Sequence, residues 1–159
     1  MQVGSQWYNR VASDIEQYRL SLGKKDAAKY KLDLLVRVAK RVDDFSPTCG
    51  ECQAYQKEID GLVQELGMFV QVPDRESLKR YKKTIENMVE HLKGTHKLVD
   101  KGHYSGIGVG IGMAVGGGIG AALGAAFDSP GIGTGVGVGL GLAVGALLDR
   151  KAKEEGRVI

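Results

Sequence analysis

Apolar residues recur three and four positions apart through the first two thirds of the chain, with charged residues filling the gaps. Tyr8, Val11, Ile15, Tyr18 and Leu22 form the first stripe, closed by Gly23. Ala28, Leu32, Leu35, Ala39 and Val42, flanked by Leu34 and Val38, form the second and end before Ser46-Pro47. Tyr55, Ile59, Leu62, Leu66 and Phe69 form the third, interrupted at Gly67 and stopped at Pro73. Leu78, Tyr81, Ile85, Met88 and Leu92 form the fourth, with Asp74 placed to cap its first turn. Such spacing puts each stripe on one narrow helix face, and short linkers favour antiparallel neighbours. Residues 1–103 are therefore expected to fold as an antiparallel bundle of up to four helices.

Residues 105–148 follow another rule: they hold most of the chain's 24 glycines in two charge-free segments split by Asp128-Ser129-Pro130. In the first segment Gly108, Gly112, Gly116, Gly120 and Gly124 repeat every fourth residue, and in the second Gly133, Gly137, Gly141 and Gly145 do the same. A further small-residue row, including Gly106, Gly110, Ala114, Gly135, Gly139 and Ala143, is offset by two. On a helix the two rows lie on roughly opposite sides, giving two grooves floored by glycine between ridges of Ile, Val and Leu. One groove serves the partner helix of a hairpin, and the other invites a second copy. Glycine alternating with Val or Ile is also a strand pattern, but Gly116-Gly117-Gly118 breaks the alternation while the four-residue series continues. In water each interior glycine costs a helix about 0.8–1 kcal/mol relative to alanine, which argues against a buried water-soluble hairpin. A phosphate-binding loop is disfavoured because Gly-Lys-Ser/Thr is absent.

These series and the Asp-Ser-Pro turn resemble the glycine-zipper two-helix hairpins of many small bacterial membrane proteins. The resemblance covers under a third of the chain and implies a membrane hairpin that oligomerises. Length agrees for the first segment, since roughly 20 apolar residues span the hydrocarbon core, while the second is marginal. Lys97 and Lys101 precede the hairpin and Arg150, Lys151 and Lys153 follow it, whereas its turn carries no Lys or Arg. Both termini are then expected on the cytoplasmic side. The expectation is an all-α protein with a helical bundle at 1–103, a glycine-zipper transmembrane hairpin at 104–149 and a basic, charged tail at 150–159.

Charge narrows the partners. The chain has 22 Lys and Arg against 19 Asp and Glu, a net charge of +3, and a mean hydropathy of −0.16. Most of these charges lie in the bundle and nearly cancel, which argues against nucleic acid, a ligand that favours a one-signed basic patch. Membrane lipid, a second copy of the chain and a protein docked on the bundle are the expected partners. The first residues lack the apolar run of a secretory signal.

Candidate chemistry is confined to Cys49-Gly50-Glu51-Cys52, at the expected start of the third helix, where the helix dipole favours a thiolate. No strand–helix alternation surrounds the motif, so a thioredoxin-like role is not expected. A zinc site needs four ligands, and His91 and His96 have an acceptable mutual spacing. The long interval from Cys52 to His91 is unlike a zinc finger. A Cys49/Cys52/His91/His96 site within one chain, a site shared between subunits, and two reduced thiols all remain open. No catalytic triad, nucleophile elbow or carboxylate pair is present, so no enzymatic activity is expected. The leading expectation is a membrane-anchored, self-associating scaffold; a pore- or lesion-forming protein is the alternative, and a redox or metal sensor built on the two cysteines is a third.

Overall fold

Ser5 starts the first helix by accepting a hydrogen bond from the Tyr8 backbone N–H, the usual work of an N-capping hydroxyl. The computed structural model describes residues 5–71, 74–127 and 130–159, with the side chains of 69–71, 119–127 and 130–134 outside that description. Within it the protein is all-helical: α1 (Gln6–Lys29), α2 (Leu32–Phe45), α3 (Gly50–Gln71), α4 (Arg75–His96), α5 (His103–Phe127) and α6 (Pro130–Glu154). Two compact units divide the chain, one running to Lys97 with Ile159 added and the other covering Leu98–Val158.

Local chemistry sets the boundaries of the first unit. Gly23, at φ 73°, kinks α1 where the first stripe was expected to close. The second stripe, however, does not form one helix from Ala28. Lys31 takes a left-handed conformation (φ 52°) and α2 starts at Leu32. Ala28 is consequently exposed, while Ala27 and Tyr30 are buried in its place. Asp74 caps α4 as expected, its carboxylate accepting from the Glu76 and Ser77 backbone N–H groups.

The core of this unit is the set of stripes. Val11 and Ile15 of α1, Leu35, Val38 and Val42 of α2, Ile59 and Leu66 of α3, and Ile85, Met88 and Leu92 of α4 are all fully buried. Burying side chains of this size contributes roughly 1.5–3 kcal/mol each before the entropy of ordering them is subtracted. α2 is the central element, packing against α1, α3 and α4. Tyr81 of α4 adds a buried hydrogen bond of 3.0 Å to the Tyr30 carbonyl at the α1–α2 turn. Phe69, the last member of the third stripe, lies outside the described side chains.

In the second unit α5 packs along α6 with backbone against backbone. A Cβ placed on Gly108 or Gly141 would strike the carbonyl of the other, and one on Gly137 would lie 2.6 Å from both the Gly112 oxygen and the Gly116 Cα. Gly112 and Gly145 likewise face backbone atoms of the opposite helix. The surroundings of Gly120, Gly124 and Gly133, and the Asp128-Ser129 turn, lie outside the described residues. Asp149 of α6 fastens the other end, its carboxylate accepting from the Tyr104 and Ser105 N–H groups at the start of α5, each at 2.9 Å. An apolar groove of about 390 Å³ runs along one face of the pair, floored by Gly108, Gly112 and Gly141 and walled by Ile111 and Leu140.

The expected membrane location, with both termini cytoplasmic, is overturned: among the described residues no helix is long and apolar enough to cross a membrane. The charge-free run of α6 ends at Asp149-Arg150, short of the roughly 20 apolar residues that a span needs. The described parts of α5 and α6 make a close-packed helical hairpin.

Candidate metal centre

The turn after α2 delivers the first two candidate residues. Cys49 donates its N–H to the Phe45 carbonyl at 2.9 Å, and its own carbonyl accepts from Gln53, so it stands immediately before α3. Cys52 follows one turn later on the inner face of that helix and is fully buried. At the other end of the bundle's sequence, His91 and His96 occupy the last turns of α4. Folding sets the beginning of α3 beside the end of α4, and the four side chains meet.

Their donor atoms converge tightly. His91 Nε2 lies 3.5 Å from Cys49 Sγ and 3.6 Å from Cys52 Sγ, and His96 Nε2 lies 3.4 Å from Cys52 Sγ. All four potential ligand atoms lie within 4.8 Å of one another. The cluster can hold one metal ion.

The surrounding residues fix the rings. Glu51 Oε2 is 3.0 Å from His91 Nδ1, leaving Nε2 turned toward the sulfurs. The same carboxylate group accepts a hydrogen bond of 3.0 Å from the Tyr55 hydroxyl. Phe45, from the end of α2, stacks on His96 with ring centres 3.9 Å apart and planes 16° from parallel. Tyr55 meets the His91 ring edge-on at 5.5 Å. A carboxylate behind one ligating imidazole and aromatic walls around the other are features that orient metal ligands and exclude water.

Electrostatics separate the two thiols. A hydrogen bond from the Cys52 backbone N–H lowers the Cys49 thiol below its ordinary value. Burial, followed by the hydrogen bond with Cys49, pushes Cys52 up to about 12. Burial and the neighbouring His91 lower His96, favouring the neutral imidazole that binds metals. Without a cation Cys52 therefore stays protonated. A bound cation would deprotonate it, because a coordinating thiol ionises outright.

All four residues singled out in the sequence are thus brought together within one chain. Glu51, Phe45 and Tyr55 were not anticipated; Glu51 sits inside the Cys-x-x-Cys interval, and its acidic type was the only available sign. The fold and the site define an all-helical protein with a two-cysteine, two-histidine cluster clamping helix ends. No protein-family model, curated protein or solved structure matches the chain.

Proposed function

We propose that the protein is a non-enzymatic, zinc-pinned helical scaffold. One observation carries the reading: the sulfur–nitrogen separations of 3.4, 3.5 and 3.6 Å. Zinc bonds of about 2.3 Å to sulfur and about 2.0–2.1 Å to nitrogen, held at the tetrahedral angle, give a sulfur–nitrogen edge of about 3.5 Å. Two thiolates and two neutral imidazoles would balance the charge of Zn²⁺ and fill its four positions. With no position left for water or substrate, a structural role is favoured over a catalytic one.

The zinc would fix the start of α3 to the end of α4 and so hold the bundle in a single shape for a docked protein. Self-association through the hairpin belongs to the same proposal. Gly106, Gly110, Gly135 and Gly139 have nothing within 4 Å of a built Cβ, so the offset row is not used by the α5–α6 contact.

Metal analysis of the full-length protein, purified without chelators, tests the central claim. About one zinc per chain is expected, falling to background in Cys52→Ser and in His96→Ala. A chain that takes up no zinc at micromolar free metal, or one whose zinc is indifferent to both substitutions, refutes it.

A further inference from the structure

We propose that Cys49 and Cys52 form an oxidant-operated latch: a low-molecular-weight disulfide converts them into one internal disulfide, expelling the ion and freeing His91 and His96. This inference rests on the reading of the four residues as a zinc centre.

The two sulfurs differ in access. Cys52 is fully buried, whereas Cys49 is partly exposed, so Cys49 is the sulfur open to a molecule from solution. The sulfurs also lie side by side, since both approach the same nitrogen of His91, at 3.5 and 3.6 Å. Cys49 precedes Gly50, the first residue of α3, and a Cβ at Gly50 would meet nothing within 4 Å. An unhindered glycine beside a residue outside the helix gives the backbone freedom to close the remaining gap to a bond of about 2 Å.

The chemistry balances without a further reactant. The Cys49 thiolate attacks one sulfur of the small disulfide, forming a mixed disulfide and releasing one thiolate. The Cys52 thiolate then attacks Cys49 Sγ, forming the internal bond and releasing the second thiolate. Two electrons pass from the protein sulfurs to the small disulfide. The ion has then lost both anionic ligands and half of its coordination shell, and two neutral imidazoles are left to face water as a competitor. The clamp between α3 and α4 opens.

The test uses zinc-loaded, full-length protein treated with oxidised glutathione in the presence of a chromogenic zinc indicator. Expected are release of about one zinc per chain and an intact mass showing an internal disulfide with no glutathione attached. A dithiol reductant and added zinc should restore the starting state. Cys52→Ser should trap one glutathione on Cys49, because the resolving sulfur is missing. Zinc bound stoichiometrically but retained through oxidation, or released with glutathione adducts and no internal disulfide, overturns the latch and leaves the zinc centre standing. A chain that never binds zinc overturns the centre itself.

Discussion

Glu51 holds His91 from behind: its carboxylate lies 3.0 Å from Nδ1 while Nε2 faces both cysteine sulfurs. Thr95 also approaches the same nitrogen, its hydroxyl 3.4 Å away. Removing such an orienting carboxylate typically weakens metal affinity 10–100-fold. Glu51→Gln is expected to raise the zinc dissociation constant roughly tenfold or more, by chelator competition, while the metal-free chain melts as before. An unchanged constant would show that the ring needs no support from Glu51.

The two glycine rows of the hairpin predict opposite signs for the same substitution. Gly141→Ala drives a methyl group into the Gly108 carbonyl, a clash that can be relieved only by moving a helix backbone. Overpacking of that kind costs about 1–3 kcal/mol. Gly110→Ala and Gly139→Ala meet nothing within 4 Å and should each stabilise the helix by up to about 1 kcal/mol. Helix content followed through urea unfolding separates the cases. A stabilising Gly141→Ala would contradict the close backbone contact.

Acid should act on the metal-free protein in two windows. His96 is held below its ordinary value of 6.5 by burial and by His91. The unfolded chain then binds that proton first, so stability is lost as pH falls from about 6.5 toward the lowered folded value. Asp149 is held below its ordinary 3.8 by the Ser105 hydroxyl and by the N–H groups of Tyr104 and Ser105. Its contribution is complete above the unfolded value and disappears as pH drops through the folded one. Asp74, lowered mainly by its hydrogen bonds with Ser77, behaves likewise at the start of α4. Circular dichroism against pH should show both windows, and Asp149→Asn should shrink only the lower. An identical lower window in that variant counts against the α5 cap.

Asp43 joins three elements from a nearly buried position. Its carboxylate accepts from the Ser5 backbone N–H at 3.1 Å and from Gln56 Nε2 at 3.2 Å, as well as from the Ser5 hydroxyl. Asp43→Ala strands these donors, a loss of about 1–3 kcal/mol. The midpoint of urea unfolding should fall accordingly, and a midpoint within error of the parent would mean that water replaces the carboxylate.

Much of the fold was legible because it depends on local signals. Gly23, Ser46-Pro47 and Asp74 mark real boundaries, since each acts on its own backbone. Lys31 was not legible, because nothing in a lysine announces a left-handed turn. The four candidate residues of the metal centre were visible as residue types, and their distance along the chain argued against them. That objection borrowed the compact spacing of zinc fingers. In a bundle the start of one 22-residue helix can lie beside the end of the next 22-residue helix, whatever the interval. Asp43, Asp60 with Trp7, and Asp149 with Ser105 escaped notice because long-range carboxylate contacts leave no periodic trace. The membrane expectation is overturned on length and apolarity together, since among the described residues no helix has enough of both to cross a bilayer.

The separation of 39 positions between Cys52 and His91 has a consequence for the denatured ensemble. A metal bridging them is a cross-link around a wide ring of chain, and by the loop-closure relation used for disulfides such a ring restricts the unfolded state by about 4 kcal/mol. A Cys49–Cys52 disulfide closes a single turn and restrains almost nothing beyond it. Exchanging one bond for the other would turn a long tether into a short one, and so alter how much of the chain's freedom is withheld before it folds.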